Sequence, residues 1–97
     1  MKIEGLLPLG SVVRLAAGEH RIMITGYGQR LQGQEEVNDY VGCLWPEGHQ
    51  SPDKNYVFNA GAIEDVLFLG FQTDGQKMFV AKMETVLADY RKQKSAD

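Results

Sequence analysis

Three side chains in this sequence, Cys43, His49 and Asp53, are of the types that carry out nucleophilic catalysis. A cysteine thiolate activated by a histidine, which a carboxylate orients, is a common arrangement for this chemistry. Cys43, however, stands beside Leu44 and Trp45, in a setting where a cysteine usually serves as a small buried hydrophobic residue. No oxyanion-hole motif or activating neighbour accompanies the three residues. We therefore expect a protein that is not an enzyme, and a small Cys/His-dependent enzyme or a small-ligand-binding domain is the alternative.

Metal and cofactor sites are not indicated. The two histidines, His20 and His49, and the single cysteine are far apart and lack zinc-ligand spacing. The carboxylates follow no calcium-loop pattern. Gly26-Tyr27-Gly28 follows a predicted strand, but the third glycine and the helix of a dinucleotide-binding site are missing. We expect neither a metal nor a cofactor.

Aromatic and rigid residues are concentrated around one loop. Tyr40, Trp45 and Tyr56 flank a segment at 46–55 that contains two prolines and a glycine. Aromatic residues near prolines are common in recognition patches, where they supply contact area at a low entropy cost. They are equally typical of protein cores, and the sequence alone leaves both roles open. The candidate partner-binding residues are Tyr40, Trp45, Pro46, Glu47 and Tyr56.

The elements that position these residues are short strands followed by one helix. Alternating apolar residues between turn-forming residues predict the strands. They lie near residues 11–17, 21–27, 37–45, 56–58 and 66–69, and the last is expected to be buried. Gly42 within the third strand indicates a bulge or a close backbone approach. The candidate turn and cap positions are Gly42, Gly48, Asp53, Asn55 and Asn59, with Asn59 capping a short helical turn over 60–64.

The C-terminal segment predicts an amphipathic α-helix over about residues 74–93. Thr73 and Gln76 are three residues apart, as in a capping box, where each side chain bonds the backbone N–H of the other residue. We expect the apolar stripe of the helix to cover the domain's own sheet, and docking into a partner is the alternative. The stripe comprises Phe79, Met83, Val86, Leu87 and Tyr90.

Length and composition favour one domain over residues 1–97. The chain is 43% hydrophobic and 24% charged, which is apolar enough for a packed core. The predicted fold class is α+β, with a small curved antiparallel sheet over about residues 11–71 and one C-terminal helix. Whether the sheet closes into a barrel is open at this point. A homodimer is an alternative to a monomer, because the strand at 66–71 can pair within the chain or across a twofold axis.

Charge and hydropathy argue against several classes of protein. The net charge is −3 and the basic residues are scattered, so a nucleic-acid-binding barrel is disfavoured. A single cysteine allows no intramolecular disulfide, as is usual in a reducing cytosol. No apolar run approaches about 18 residues, the length of a membrane span, and the N-terminus is a poor signal peptide. We expect a cytoplasmic protein without membrane insertion.

A series of short motifs runs from about residue 6 to residue 71. It includes Leu7-Pro8-Leu9-Gly10-Ser11, Asp39-Tyr40-Val41-Gly42-Cys43, Trp45-Pro46-Glu47-Gly48 and Pro52-Asp53-Lys54-Asn55-Tyr56. The series resembles a family of small uncharacterised domains encoded beside type VII secretion genes and polymorphic toxins in Gram-positive bacteria. The resemblance implies an adaptor or chaperone that binds a secreted toxin in the cytosol, through the toxin's helical N-terminal domain, and assists its export. It carries over no catalytic residue, and it makes Trp45, Glu47 and Tyr56 the stronger interface candidates.

Overall fold

The fold is a five-stranded antiparallel sheet with one helix packed on one face. The computed structural model describes residues 5–16, 18–30, 33 and 35–96, with side chains described as far as residue 93, so Ala17 of the predicted first strand lies outside them. The elements are β1 (Val12–Leu15), β2 (Arg21–Gln29), β3 (Asn38–Trp45), β4 (Tyr56–Phe58), β5 (Ile63–Phe68) and α1 (Asp74–Ala96), with one-turn 3-10 helices at Pro52–Lys54 and Ala60–Ala62. The strand order is β4-β3-β2-β1-β5. The α+β prediction is confirmed.

The sheet is strongly curved but is not closed into a barrel. β4 and β5 lie at its two edges and do not pair with each other. Only residues 59–62 connect these edge strands, and three of them form a 3-10 turn. Across a flat sheet the edges would be about 19 Å apart, four spacings of about 4.8 Å. A 3-10 turn rises only about 2 Å per residue, so the sheet must curve for this link to reach.

The face of the sheet that packs against α1 forms the core, and we call it the inner face. β1 contributes Val13, and β2 contributes Ile22 and Ile24. From α1, Val80 and Leu87 join the same cluster. Because side chains alternate along a strand, every second residue of each strand points the other way, away from α1.

Gly42 of β3 is explained by a close approach of the backbones, and it also stands next to a bulge in β2. A Cβ atom at this position would lie 2.6 Å from the Met23 carbonyl oxygen and 2.7 Å from Cγ2 of Ile22. Any larger residue would therefore force β2 and β3 apart. The irregularity in this pair of strands lies in β2, where the register shifts between Ile24 and Gly26.

Helix α1 begins where the sequence predicts. The Gln76 backbone N–H donates to Oγ1 of Thr73 at 3.0 Å, as expected for the N-cap residue of a helix that starts at Asp74. The reciprocal half of the capping box is missing, since Oε1 of Gln76 is buried without a hydrogen-bond partner among the described residues.

The apolar stripe that α1 buries differs from the predicted one. Val80 and Leu87 are buried, whereas Phe79 and Val86 are each 54% exposed. Met83 and Leu87 pack against β2 at Gly28, where a Cβ atom would be only 3.2 Å from Cε of Met83. Phe79 and Val86 lie beside this line of contact and stay half exposed. Of the predicted stripe, Met83, Leu87 and Tyr90 are at least partly buried.

The predicted last strand was wrong in its limits and its burial. β5 begins at Ile63 rather than at residue 66, and Leu67 and Phe68 are 47% and 61% exposed. β5 is an edge strand, and its register with β1 shifts twice. A short apolar run does not by itself distinguish a central strand from an edge strand.

Asn59 precedes the 3-10 turn Ala60–Ala62 but does not cap it with its side chain. Its Oδ1 atom accepts a hydrogen bond from the Asp39 backbone N–H at 2.9 Å. The Asp39 carboxylate in turn accepts from the Ala60 backbone N–H at 2.8 Å. Asp39 is therefore the cap, and Asn59 ties the link between β4 and β5 to β3.

Two tyrosines hold the segment that precedes β1. The Leu7 backbone N–H donates to the Tyr40 hydroxyl at 2.9 Å, and the Tyr27 hydroxyl donates to the Leu7 carbonyl. We call these three residues the tyrosine clamp. Leu6 and Leu7 belong to the core cluster. Burial raises the pKa of Tyr27 to about 12, with a smaller contribution from Tyr40, and burial also raises the pKa of Tyr40.

Ser11 fixes the connection between β5 and α1. It is fully buried, and its Oγ atom accepts a hydrogen bond from the Gly70 backbone N–H at 3.0 Å. A Cβ atom at Gly70 would lie 2.0 Å from the Leu9 carbonyl oxygen, so only glycine fits here. The chain before β1 and the chain after β5 are thereby held together.

Removal of the Tyr40 hydroxyl should destabilise the fold. Tyr40→Phe leaves the buried Leu7 N–H without a partner, and we expect the free energy of unfolding in urea to fall by about 1–3 kcal/mol. Tyr56→Phe is the matched control, because the Tyr56 hydroxyl makes no hydrogen bond to a described residue. We expect it to change stability by less than about 0.5 kcal/mol. Equal effects of the two substitutions would contradict the clamp.

Stability should also fall at alkaline pH. The pKa of Tyr27 is raised to about 12 in the folded protein, whereas tyrosine in an unfolded chain titrates near about 10. The unfolded state therefore releases the proton first, and stability declines as pH rises from about 10 to about 12. Urea midpoints measured across this range should fall, and Tyr27→Phe should make the decline smaller. An equal decline in both proteins would refute the assignment to Tyr27.

Candidate functional site

The predicted partner-binding residues divide between the core and the surface. Tyr40 is 1% exposed, and its hydroxyl is engaged by Leu7. β3 places Tyr40 on the inner face, where its ring packs against Phe58 with 5.4 Å between centroids. Tyr40 therefore offers almost no surface to a partner in this structure, in contrast to the other four predicted partner-binding residues. Tyr40 is a core residue, which was the alternative to a recognition role for the aromatic residues near this loop.

Trp45, Pro46 and Glu47 lie at the end of β3 and are exposed. The side chain of Trp45 is 45% exposed, and the Trp45–Pro46 peptide bond is cis. Gly48 completes the turn, with a φ of 81° that favours glycine. Its N–H donates to the Leu44 carbonyl at 2.7 Å. The turn thus holds Trp45 at the surface.

Tyr56 is exposed as well, but it does not share a surface with Trp45. It pairs with Gly42 in the register of β3 and β4, so it lies on the same side of the sheet as α1. Trp45 is three residues beyond Gly42 and lies on the opposite side. The structure therefore separates the two aromatic candidates.

The loop between Trp45 and Tyr56 is organised locally. The Ser51 hydroxyl donates to Oδ1 of Asp53, and the Asn55 N–H donates to the Pro52 carbonyl at 3.3 Å. These contacts close the 3-10 turn Pro52–Lys54. Asp53 and Asn55 are thus turn residues. Within the described part of the chain, neither makes a hydrogen bond to the sheet.

The sheet face away from α1, which we call the outer face, carries a row of apolar side chains. Phe68, Val12, Met23 and Cys43 lie directly opposite one another across β5, β1, β2 and β3. Val12 and Cys43 are buried among their neighbours but lie outside the core cluster. Phe68 at one end is 61% exposed. The other end of the row, Cys43, is buried, and the exposed Trp45 lies on the same face two residues further along β3.

Sequence reasoning missed Phe68 and Met23 as members of this surface. The alternation within each strand was visible, but the pairing of β1 with β5 was not, because it joins segments more than half the chain apart. Without that pairing, Phe68 cannot be placed beside Val12. The strand order, more than the residue types, defines the outer face.

A charged row lies next to the apolar row on the outer face. Asp65, Arg14, Arg21 and Trp45 are directly opposite one another across the same four strands. Arg14 forms ion pairs with Glu64 at 3.2 Å and with Asp65 at 3.6 Å. Arg21 is exposed. The border of the apolar surface is therefore rich in charge.

Cys43 and His49 occupy different environments. Cys43 is 2% exposed and stands opposite Met23, whereas His49 is exposed in the loop after β3. Within the described part of the chain, no three His, Cys, Asp or Glu residues are grouped as a metal site requires.

The helix that the structure describes is also not long and apolar enough to cross a membrane.

A polar depression of about 620 Å³ lies at the C-terminal half of α1, between the segment before β3 and the β4–β5 link. Nη2 of Arg91 contacts Oδ1 of Asp39 at 2.8 Å and the Val37 carbonyl at 3.0 Å. Tyr90 donates to the Glu35 carbonyl at 3.3 Å. These contacts anchor the helix to β3 and to the segment before it.

Comparison with known proteins identifies one family. A family model described as "Domain of unknown function (DUF4176)" matches residues 6–79. This range covers the whole sheet and the first turns of α1. A search of curated proteins and a search of solved structures found no match. The description of the family assigns no activity to it.

The buried state of Cys43 predicts slow thiol labelling. Because the thiol is 2% exposed, a reagent reaches it only after local opening, and an opening free energy of about 3 kcal/mol slows labelling by about 100-fold. Leu67→Cys in a Cys43→Ala background is the control, since Leu67 is 47% exposed. Labelling of Cys43 as fast as that of the control would favour the Cys/His enzyme alternative.

Proposed function

We propose that this protein, which belongs to the DUF4176 family, is a non-enzymatic adaptor or chaperone that binds a helical segment of another protein on its outer face. The observation that carries the proposal is the pair of exposed aromatic side chains on the outer face, Phe68 at one end of the apolar row and Trp45 in the neighbouring row on β3. Trp45 is 45% exposed and Phe68 is 61% exposed. Large aromatic side chains at the surface are the usual anchors of protein interfaces.

The sheet edges are poorer docking sites than the outer face. β4 has only three residues, so it offers few backbone groups to an added strand. β5 is longer, but its two register shifts bend its backbone, and bulges of this kind discourage strand addition. Both features argue against docking of a partner strand and against a homodimer built through β5. They favour a segment that lies on the face.

The resemblance of the sequence motifs points to a class of partner. It supports a toxin of the type VII secretion system, bound in the cytosol through its helical N-terminal domain and assisted in export. A helix with one apolar side is the natural complement of an apolar sheet face bordered by charge. In this proposal Pro46 and Glu47 lie at the rim, next to Trp45, and Tyr56 makes no contact because it lies on the other side of the sheet.

Truncation of Trp45 should weaken the complex. We expect Trp45→Ala to raise the Kd for the N-terminal domain of a type VII toxin from the same genome by about 30-fold or more, as for a buried aromatic anchor. Isothermal titration with purified proteins measures this change. The unfolding midpoint of the variant shows that it remains folded.

Two matched variants locate the surface. Met78→Ala removes a more exposed apolar side chain, 74% exposed, from α1 and should leave the Kd unchanged. Tyr56→Ala, on the α1 side of the sheet, should also have little effect. A loss of binding with Tyr56→Ala but not with Trp45→Ala would place the partner on the wrong face for this proposal. The absence of any complex with the toxin domain would reject the toxin as the partner.

A further inference from the structure

Residues 5–9 form an N-terminal segment that contacts both α1 and the sheet, and we call this segment the strap. Leu6 and Leu7 of the strap are 9% and 4% exposed. They belong to the same core cluster as Val80 and Leu87 of α1. On the sheet side, the tyrosine clamp holds the strap through its two hydroxyl groups. The strap therefore connects the helix to the sheet.

Neither the helix nor the strap holds its place without the other. Among the described side chains of α1, only Val80 and Leu87 are buried, and both share their cluster with the strap. The polar contacts of Tyr90 and Arg91 lie near the C-terminal end of the helix. An isolated helix is marginal in water and depends on the packing of its apolar face. The strap is not part of a strand, so it also depends on side-chain contacts.

The strap and the helix also leave the sheet at the same corner. The strap ends before Gly10, where the chain turns into β1 with a φ of 87°. The chain leaves β5 for α1 at Gly70, whose N–H donates to Oγ of Ser11 at 3.0 Å. The two segments thus have adjacent points of attachment, and both can move away from the inner face while the strands stay paired.

We propose that the strap and α1 form one conformational unit, in which the strap holds the helix on the inner face and both leave it together. Segments with few buried contacts open as contiguous units below global unfolding. Each part loses packing when the other leaves, so their openings are coupled, and such a coupling is reciprocal. The open form exposes Tyr27 and Tyr40 on the inner face. The inference does not depend on the proposed function, which concerns the outer face.

Hydrogen exchange of the Leu7 amide tests the coupling from the helix side. NMR on the full chain measures it under conditions where the exchange rate follows the opening equilibrium. Ala81→Gly lowers helix propensity at an exposed position of α1, and we expect the Leu7 amide to exchange about fivefold faster. Met23→Ala is the control, because Met23 lies on the outer face of β2. It should speed exchange in β2 and β3 and leave the Leu7 amide unchanged.

The two variants separate the alternatives. Equal acceleration of the Leu7 amide by Ala81→Gly and Met23→Ala would mean that the strap opens only when the whole domain unfolds, and this result would overturn the inference. An unchanged Leu7 amide in Ala81→Gly would mean that the strap opens without the helix. That result would overturn the inference as well.

The reciprocal measurement starts from the strap. Leu6→Ala truncates a buried leucine, and we expect the amides of residues 80–91 to exchange about 30-fold faster or more. Leu9→Ala is the matched control in the same segment, since Leu9 is 47% exposed and lies outside the core cluster. It should change these rates by less than about threefold. Equal effects of the two leucine variants would contradict the proposal, as would unchanged helix amides in Leu6→Ala.

A milder variant covers the case in which Leu6→Ala does not fold. Tyr40→Phe removes one hydroxyl group of the tyrosine clamp and leaves the Leu7 N–H without its acceptor. We expect it to speed exchange of the same helix amides by at least about fivefold. Tyr56→Phe, whose hydroxyl is not part of the clamp, should leave them unchanged. Helix amides that respond to neither tyrosine variant would overturn the inference.

Discussion

A buried peptide group needs partners for both its N–H and its C=O, and the structure depends on how this need is met at Leu7. Tyr40 accepts from the N–H and Tyr27 donates to the carbonyl. The two rings come from neighbouring strands and extend the contact further, since Tyr27 packs against Phe79 of α1 and Tyr40 packs against Phe58 of β4. Five segments of the chain therefore meet at these two tyrosines, the segment before β1 through the hydroxyl groups and β4 and α1 through the rings.

The tyrosine clamp lies on one face of the sheet only. Tyr40 and Trp45 are both aromatic residues of β3, five positions apart, and alternation alone places them on opposite sides. The side that carries the clamp is filled by α1 and by the N-terminal segment. The other side has no helix of the described chain upon it, and its aromatic residues remain accessible. Trp45 and Phe68 thus stay exposed because α1 covers only one face of the sheet.

Local rules were enough to predict much of the fold from the sequence. Propensity, capping and periodicity within a few residues predict the α+β class and the limits of β4. They also predict the start of α1 directly after its N-cap residue, Thr73. The buried stripe of α1 could not be predicted in this way, because Phe79 and Val86 fit the helical period as well as Val80 does. Which of them is buried depends on how the helix lies on the sheet, and that is a long-range contact. The site was predictable only in part: Trp45 lies at the surface as a candidate should, whereas the core position of Tyr40 and the contribution of Phe68 depend on strand pairing.

The pairing of β1 with β5 has a consequence for the order in which the surface is assembled. Val12 meets Phe68 across more than half of the chain, and contacts of such long range form late because the loop must first be closed. The hairpin of β2 and β3 can form much earlier from nearby residues. The row from Phe68 to Cys43 is therefore complete only once folding has finished. Under the proposed function, a partner that requires this face would therefore bind the completely folded protein and not a partly folded one.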